Sequence, residues 1–317
     1  MLLKQLTDVF DLLDRSTASG QAMKEYLLSI NPDTKIEVLV LKGVNPPYQT
    51  TDVIRIYIPG KNGKTNQGTC PTLGIIGRLG GLGARPEMTG FVSDGDGACA
   101  SLTAAAKLLD MQKKGDTLEG DVIVCTHICP DAPTSPHEPV PFMGSPVEMF
   151  QNNETEVLPE MDAILSIDTT KGNRIINHNG FAISNTVKSG YILSVSEDLL
   201  DIMQTVTGAM PKVFPLSTQD ITPYENNLYH LNSILQPATS TDAPVVGVAI
   251  TTETMVAGCA TGASQFVSIE SAARFAVETA KFYGAGKCRF YDEEQFQMLQ
   301  KLYGSMAHLK TEGKKEL

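Results

Sequence analysis

Six polar residues stand where an open parallel sheet presents side chains to a ligand: outside the carboxyl ends of its strands, where loops meet helix N-termini. Arg78 follows the apolar run Thr72 to Ile76, Asp94 and Asp96 precede a helical stretch, and His127 follows Val122 to Thr126. Asp168 closes Ala163 to Asp168, and Glu253 follows Val245 to Thr251. A carboxylate beside a helix N-terminus satisfies orphan N–H groups for about 1 kcal/mol. Two acids exceed what capping needs, and facing a cleft they hold a divalent cation or a substrate ammonium. His127, with Asp131 and His137 in the next loop, makes a His/Asp set that binds zinc or transfers protons. The plain alternative gives His127 a backbone carbonyl partner and leaves His137 in solvent. Asp168 alone caps a turn, but its company with Asp94, Asp96 and His127 at separate strand ends favours one shared site. Four prolines, Pro130, Pro133, Pro136 and Pro139, stiffen the loop after His127, as suits a pocket wall.

Other chemistries fit less well. The glycines from Gly77 to Gly83 lack the spacing of a dinucleotide fingerprint or a P-loop, and no helix follows at once, so no nucleotide cofactor is expected. Thr261-Gly262-Ala263-Ser264 is not a nucleophile elbow. Cys125 or Cys129 near His127 lacks a clear oxyanion device. His178 and His230 read as surface or core residues, and His308 lies in the tail.

The elements that must position these residues alternate. An amphipathic helix from Met1 to Leu13 precedes a second from Ala22 to Ser29. Strands follow at Ile36 to Lys42 and Val53 to Ile58, divided by Pro46-Pro47, as an antiparallel pair feeding an inner strand. Then come the strand Thr72 to Ile76, the helix Gly97 to Met111, the strand Val122 to Thr126, a Pro-rich loop to Pro146, and the strand at Ala163. Further strands are expected at Arg174 to Asn177 and Gly190 to Val195, with a helix from Ser196 to Thr207. A stretch with little periodicity leads to the strand Val245 to Thr251, a second small-residue loop Ala257 to Ala263, and the helix Ser268 to Tyr283. A helical tail spans about 290–317, with Glu312 to Leu317 frayed. This order predicts a single three-layer α/β domain over 1–317, with a mostly parallel mixed sheet and helices on both faces.

The 317 residues carry 25 Lys and Arg against 36 Asp and Glu, a net charge of −11, which opposes a nucleic-acid or anionic-membrane surface. The six cysteines have no CxxC spacing, and no apolar run is long enough to span a membrane, which together predict reduced thiols in a cytoplasmic protein. Apolar exposed edges predict a homo-oligomer, and the partner left by exclusion is a small-molecule or peptide substrate.

Ser16-Thr17-Ala18-Ser19-Gly20 before a helix, the acidic loop entering Ala98-Cys99-Ala100-Ser101-Leu102, and a strand ending at the catalytic-acid position resemble the co-catalytic zinc aminopeptidases of the phosphorylase/hydrolase-like fold. Gly77-Arg78-Leu79-Gly80-Gly81, Thr126-His127-Ile128-Cys129-Pro130, Ser166-Ile167-Asp168-Thr169-Thr170-Lys171-Gly172-Asn173 and Gly258-Cys259-Ala260-Thr261-Gly262-Ala263-Ser264 more closely resemble domain of unknown function 1177, over nearly the whole chain. The peptidase resemblance places the bridging metal aspartate on Asp94 or Asp96 and a later one on Asp168. It finds no ligand near Arg78 to Gly80, a Thr126-His127 pair where two glutamates belong, and no final histidine near Gly258 to Thr261. It therefore implies a hydrolase-like enzyme on a peptide or amino-acid derivative. One form is a single divalent metal, zinc, held by Asp94, Asp96, His127 and Asp168, with His127 and Asp96 catalytic and Arg78 and Glu253 binding substrate. The other is a metal-free pocket in which Arg78 clamps a carboxylate and His127 moves a proton. A racemase or isomerase using His127 with Cys125 or Cys129, and a non-catalytic binding or assembly protein, stand as alternatives.

Overall fold

The computed structural model describes residues 2–43, 49–222 and 234–310. Two helices open the chain, α1 (Leu3–Leu13) and α2 (Gly20–Ile30). Leu6, Val9 and Leu13 of α1 are buried as one stripe. Ser19 caps α2, its hydroxyl accepting the Ala22 N–H at 3.2 Å. In chain order there follow β1 (Lys35–Lys42), β2 (Thr50–Ile58), β3 (Leu73–Gly77), α3 (Asp96–Lys113), β4 (Val122–Ile128), β5 (Thr134–Ser135), β6 (Phe142–Met143), α4 (Met149–Glu156), β7 (Ala163–Thr169), β8 (Gly180–Lys188), β9 (Tyr191–Ile192), α5 (Glu197–Thr207), β10 (Val245–Thr251), α6 (Phe266–Gly284) and α7 (Glu293–Tyr303).

Eight strands form one mixed sheet in the order β1-β2-β4-β3-β7-β10-β8-β9, while β5 and β6 pair separately. The central strands β4, β3, β7 and β10 run parallel, and every residue in them is buried. Burial on both faces is why they read as unbroken apolar runs. The outer junctions are antiparallel, with β2 joining the parallel core through β4. On one face a core that includes Leu6, Ile75, Leu102, Leu165, Val248 and Phe275 packs the sheet against its helices. The other face centres on Ile76, Ile164, Phe214, Leu235 and Ala249, with α4 and single 3-10 turns at Thr218–Ile221 and Gln236–Thr239 on that side. The mixed α/β sheet with a parallel core is the expected architecture.

Local details differ from the sequence reading. Arg174 to Asn177 is a loop, because Asn173 Oδ1 accepts the N–H groups of both Ile175 and Ile176 at 2.8 Å and turns the chain. Only Tyr191–Ile192 of the next expected strand is extended. The sequence reading missed β8, whose Ser184, Asn185 and Thr186 break the apolar pattern although the strand is mostly buried. It also missed α4, which begins with a capping box formed by Glu148 and Gln151. Strand β4 runs two residues past its expected end, so His127 lies inside it. Pro46-Pro47, His230 and Glu312 to Leu317 lie outside the described residues.

Candidate active site

The carboxyl ends of β3 and β7 meet the first turn of α3 at close range. A Cβ on Gly97 would stand 1.9 Å from the Arg78 carbonyl oxygen and 2.4 Å from that of Ile167. Only glycine permits this approach. It brings Asp96, the first residue of α3, against the rim formed by β3 and β7. The loop before α3 is pinned from the other side: Ser93 N–H donates to Thr261 O at 2.8 Å, Asp94 N–H to Cys259 O at 3.1 Å, and Thr169 Oγ1 to Ser93 O at 2.6 Å. The two small-residue loops noticed in the sequence thus flank one buried group of acids.

Asp94, Asp96 and Asp168 are all buried there. Burial raises Asp94, and the neighbouring charges of Asp168 and Asp96 add to it; a hydrogen bond from Cys259 and the charge of Lys171 oppose them, and the carboxyl ends near 8. Asp96 is also raised by burial, but Lys171 and Ser264 counter it and leave it near 6. The Lys171 ammonium lies 3.4 Å from Asp96 Oδ2 and donates to the Ala263 carbonyl at 3.0 Å. Ser264 Oγ donates to Asp96 Oδ1 at 2.5 Å, and Asp168 Oδ1 accepts the Thr169 N–H at 2.7 Å. The hydroxyls of Thr170 and Thr251, at the ends of β7 and β10, are buried without a hydrogen-bond partner among the described residues. Lys171 and Ser264 lay within motifs read from the sequence but had no role assigned there.

His127 and Arg78 belong to a second, sealed network. Both are buried, and both reach Glu156, the last residue of α4. His127 Nδ1 is 2.8 Å from Glu156 Oε1, Arg78 Nη2 is 3.1 Å from Glu156 Oε2, and Arg78 also bonds Asn153 Oδ1. His127 Nε2 faces the Gly80 N–H at 2.9 Å. That amide is only a donor, so Nε2 is the acceptor and Nδ1 carries the proton towards Glu156. Burial pushes Glu156 up, but the Arg78 guanidinium and His127 outweigh it and hold the carboxyl below its usual range. Glu156 is the functional partner that sequence reading missed; Glu148 and Gln151, at the start of the same helix, were the signal that could have placed it.

Gly80 and Gly81 form the partition between these groups. A Cβ on Gly80 would meet the His127 carbonyl oxygen at 1.7 Å and its ring Cδ2 at 2.8 Å, whereas one on Gly81 would meet Asp94 Oδ2 at 3.1 Å. The glycine loop thus sets His127 on one side and Asp94 on the other. Cys129 N–H donates to Gly80 O and Leu82 N–H to Cys129 O, which continues the sheet ladder along this loop.

This arrangement changes three expectations. Among the described residues no three His, Cys, Asp or Glu side chains are grouped to hold a metal ion. The zinc site of Asp94, Asp96, His127 and Asp168 is not formed, since both His127 nitrogens are engaged elsewhere and an ammonium stands against Asp96. The donor set does not fit a resident zinc. Arg78 is no open carboxylate clamp, because its guanidinium is fully buried against Glu156 and Asn153. Cys125 and Cys129 are buried protonated thiols; burial raises both, Cys129 to about 12. Glu253 is exposed on the loop after β10, and His137 is exposed with Nδ1 3.1 Å from the Val140 carbonyl. All six cysteines are free. No helix among the described residues is long and apolar enough to cross a membrane. A cavity of about 630 Å³ lies at the opposite rim, near the amino ends of β7 and β10, lined by Asp162, Lys188, Asp242, Tyr283, Tyr291 and Glu293 among others.

The fold is shared with solved enzymes at low sequence identity. The chain is similar to the glutaminyl cyclase of Porphyromonas gingivalis (TM-score 0.53, 9% identity, 90% of this chain and 96% of that one). It is similar to the glutaminyl cyclase of an Acidobacteriales bacterium (TM-score 0.52, 12% identity, 90% and 94%). It is also similar to the cytosol aminopeptidase of Coxiella burnetii (TM-score 0.50, 13% identity, 89% and 68%). No curated protein sequence matches it. Residues 42–313 match the model of the family described as protein of unknown function, DUF1177, and the chain belongs to that family.

Proposed function

We propose that the buried acids at the carboxyl ends of β3, β7 and β10 form the active site of a hydrolase-like enzyme acting on an amino-acid or peptide derivative. The observation that carries this reading is the buried Asp94 and Asp168 in one charge-coupled group, with Asp94 pushed up to about 8. A carboxyl held protonated beside a second carboxyl can supply an acid next to a base. In amide hydrolysis Asp168 takes a proton from the attacking water as its oxygen bonds the acyl carbon. Asp94 gives its proton to the departing nitrogen as the carbon–nitrogen bond breaks. The products are a carboxylic acid and an amine. Lys171, 3.4 Å from Asp96, keeps that third acid in place. The shared fold with aminopeptidases and glutaminyl cyclases supports a substrate with an amino terminus.

The test is turnover of a panel of aminoacyl amides and short peptides, including peptides with amino-terminal glutamine, followed by mass spectrometry. Turnover by the wild type that Asp94→Asn and Asp168→Asn each abolish, with unchanged circular dichroism, is the expected result. Turnover that survives both substitutions would move the active site elsewhere.

A metal-free isomerase at the same strand ends is favoured by Cys259, whose thiol is pushed up by burial and by the charge of Asp94, which leaves a second protonated group near the acids. Exchange of solvent deuterium into the α-carbon of amino-acid substrates separates it from hydrolysis. The free cysteines and acidic charge support a cytoplasmic setting, and the exposed apolar side chains Met298, Leu302 and Tyr303 of α7 support self-association.

A further inference from the structure

We infer that Ser264 is a nucleophile that takes an acyl group, with Asp96 as its base and the first turn of α6 as the site for the developing oxyanion. The inference needs no part of the Asp94 and Asp168 reading, in which water attacks. Ser264 lies on the loop that enters α6, two residues before the helix, and is only partly buried. Its hydroxyl donates to Asp96 Oδ1 at 2.5 Å. Asp96 is fully buried, and its other oxygen faces the Lys171 ammonium at 3.4 Å. Lys171 is fixed in turn by the carbonyl of Ala263, the residue before the serine, at 3.0 Å. A hydroxyl on a carboxylate that a third group orients is the arrangement that activates a nucleophile. The ammonium opposes the burial that would protonate Asp96, so the carboxylate can accept the proton.

The surroundings supply the other two requirements, an oxyanion site and room for the acyl group. Gln265 precedes α6 without a side-chain cap, and the N–H groups of Gln265, Phe266 and Val267 make no hydrogen bond among the described residues. They point out of the N-terminal end of a 19-residue helix, where developing negative charge is stabilised. Beside the serine the loop borders open space: a Cβ on Gly262 would meet nothing within 4 Å. Met255, which bridges to Gly172 next to Lys171, and Val267 in the first turn of α6 are both exposed. This apolar surface near the serine suits a small apolar acyl group. In the reaction, Ser264 Oγ bonds the carbonyl carbon of an ester while its proton passes to Asp96 Oδ1. The carbon–oxygen bond to the leaving alcohol then breaks, and the alcohol departs with that proton. Water repeats the exchange on the acyl-serine, releasing a carboxylic acid and restoring the hydroxyl.

The experiment exposes the full chain to a fluorophosphonate, whose phosphorus the serine oxygen attacks with loss of fluoride, and maps the adduct by mass spectrometry of peptides. A parallel assay follows release of p-nitrophenolate from p-nitrophenyl butyrate. A single adduct on Ser264 is expected, and Ser264→Ala, which removes one partly exposed hydroxyl, should lose both the adduct and the release. Asp96→Asn should slow labelling by at least about tenfold. Lys171→Met should also slow it and Lys171→Arg restore it, which serves if the asparagine variant does not fold. Folded wild type without an adduct at Ser264, labelling that survives Ser264→Ala, or folded Asp96→Asn and Lys171→Met labelled at the wild-type rate would overturn the inference. The butyrate should react faster than mono-p-nitrophenyl succinate, whose acyl group is of similar size but charged; the reverse order would overturn the acyl class. Labelling reads the covalent step alone. A protein labelled at Ser264 yet inactive on amides would sink the two-acid reading and leave this one, whereas one active on amides yet unlabelled would do the opposite.

Discussion

His127 and Gly80 are joined by a 2.9 Å hydrogen bond in which the imidazole Nε2 accepts the backbone N–H. An imidazole that carried a proton on both nitrogens would present a donor to a donor there. The ring is therefore a bracket for the glycine loop, held from behind by Glu156.

Removing that bracket has a definite cost. His127→Ala leaves the buried Gly80 N–H and one Glu156 oxygen without partners, and a loss of about 2–4 kcal/mol in urea unfolding is expected. His127→Gln, whose amide oxygen can accept the Gly80 N–H, should recover part of it. Equal losses in the two variants would show that the bond to Gly80 is not what the ring supplies.

Glu156 is the hinge of the sealed network. Glu156→Ala strands the Arg78 guanidinium in an apolar interior and should cost about 3–5 kcal/mol. In Arg78→Met/Glu156→Leu the charge is removed together with its partner, and the double variant should unfold at higher urea than Glu156→Ala alone. A double variant weaker than the single one would contradict the pairing.

Stability should depend on pH through Asp94. Its folded value near 8 lies above the ordinary carboxylate value of 3.8, so the native state binds the extra proton between these limits. Stability contributed in this way is full at low pH and declines as pH rises from about 4 to 8. Asp96, near 6, adds in the same direction over a narrower window. Asp94→Asn should flatten the slope and raise the unfolding free energy at pH 8.5 by at least about 1 kcal/mol. Unfolding curves from pH 5 to 9 check this, and a steeper slope in the variant would reverse the sign of the argument.

Gly97→Ala should be severe. A methyl group would overlap two backbone carbonyls at once, and neither can rotate away without breaking the strand ends. A loss of about 3 kcal/mol or more, with collapse of any ligand-induced thermal shift, is expected.

How far the sequence disclosed this site depends on which physical signal each part left. The four parallel strands were legible because burial on both faces leaves an unbroken apolar run. Asp94, Asp96 and Asp168 were legible because strand ends and helix starts are where acids have work to do. The partnership of His127 was not. Ending β4 at Thr126 set the imidazole at the rim, whereas the strand continues to Ile128 and alternation turns residue 127 to the same face as Cys125. Its true partner comes from α4, whose segment MFQNNETE has little apolar periodicity and whose Glu156 is 29 residues away. Strand β8 escaped for a related reason, since Thr186 and Ser184 are buried on hydrogen bonds to Phe290 O and Asn185 O that only the folded chain supplies.

The Gly80-Gly81 partition is a single strand of backbone thick. Across so small a gap matter is stopped but an electric field is not, so a charge introduced at 127 is sensed by the acids opposite without any atom passing between them.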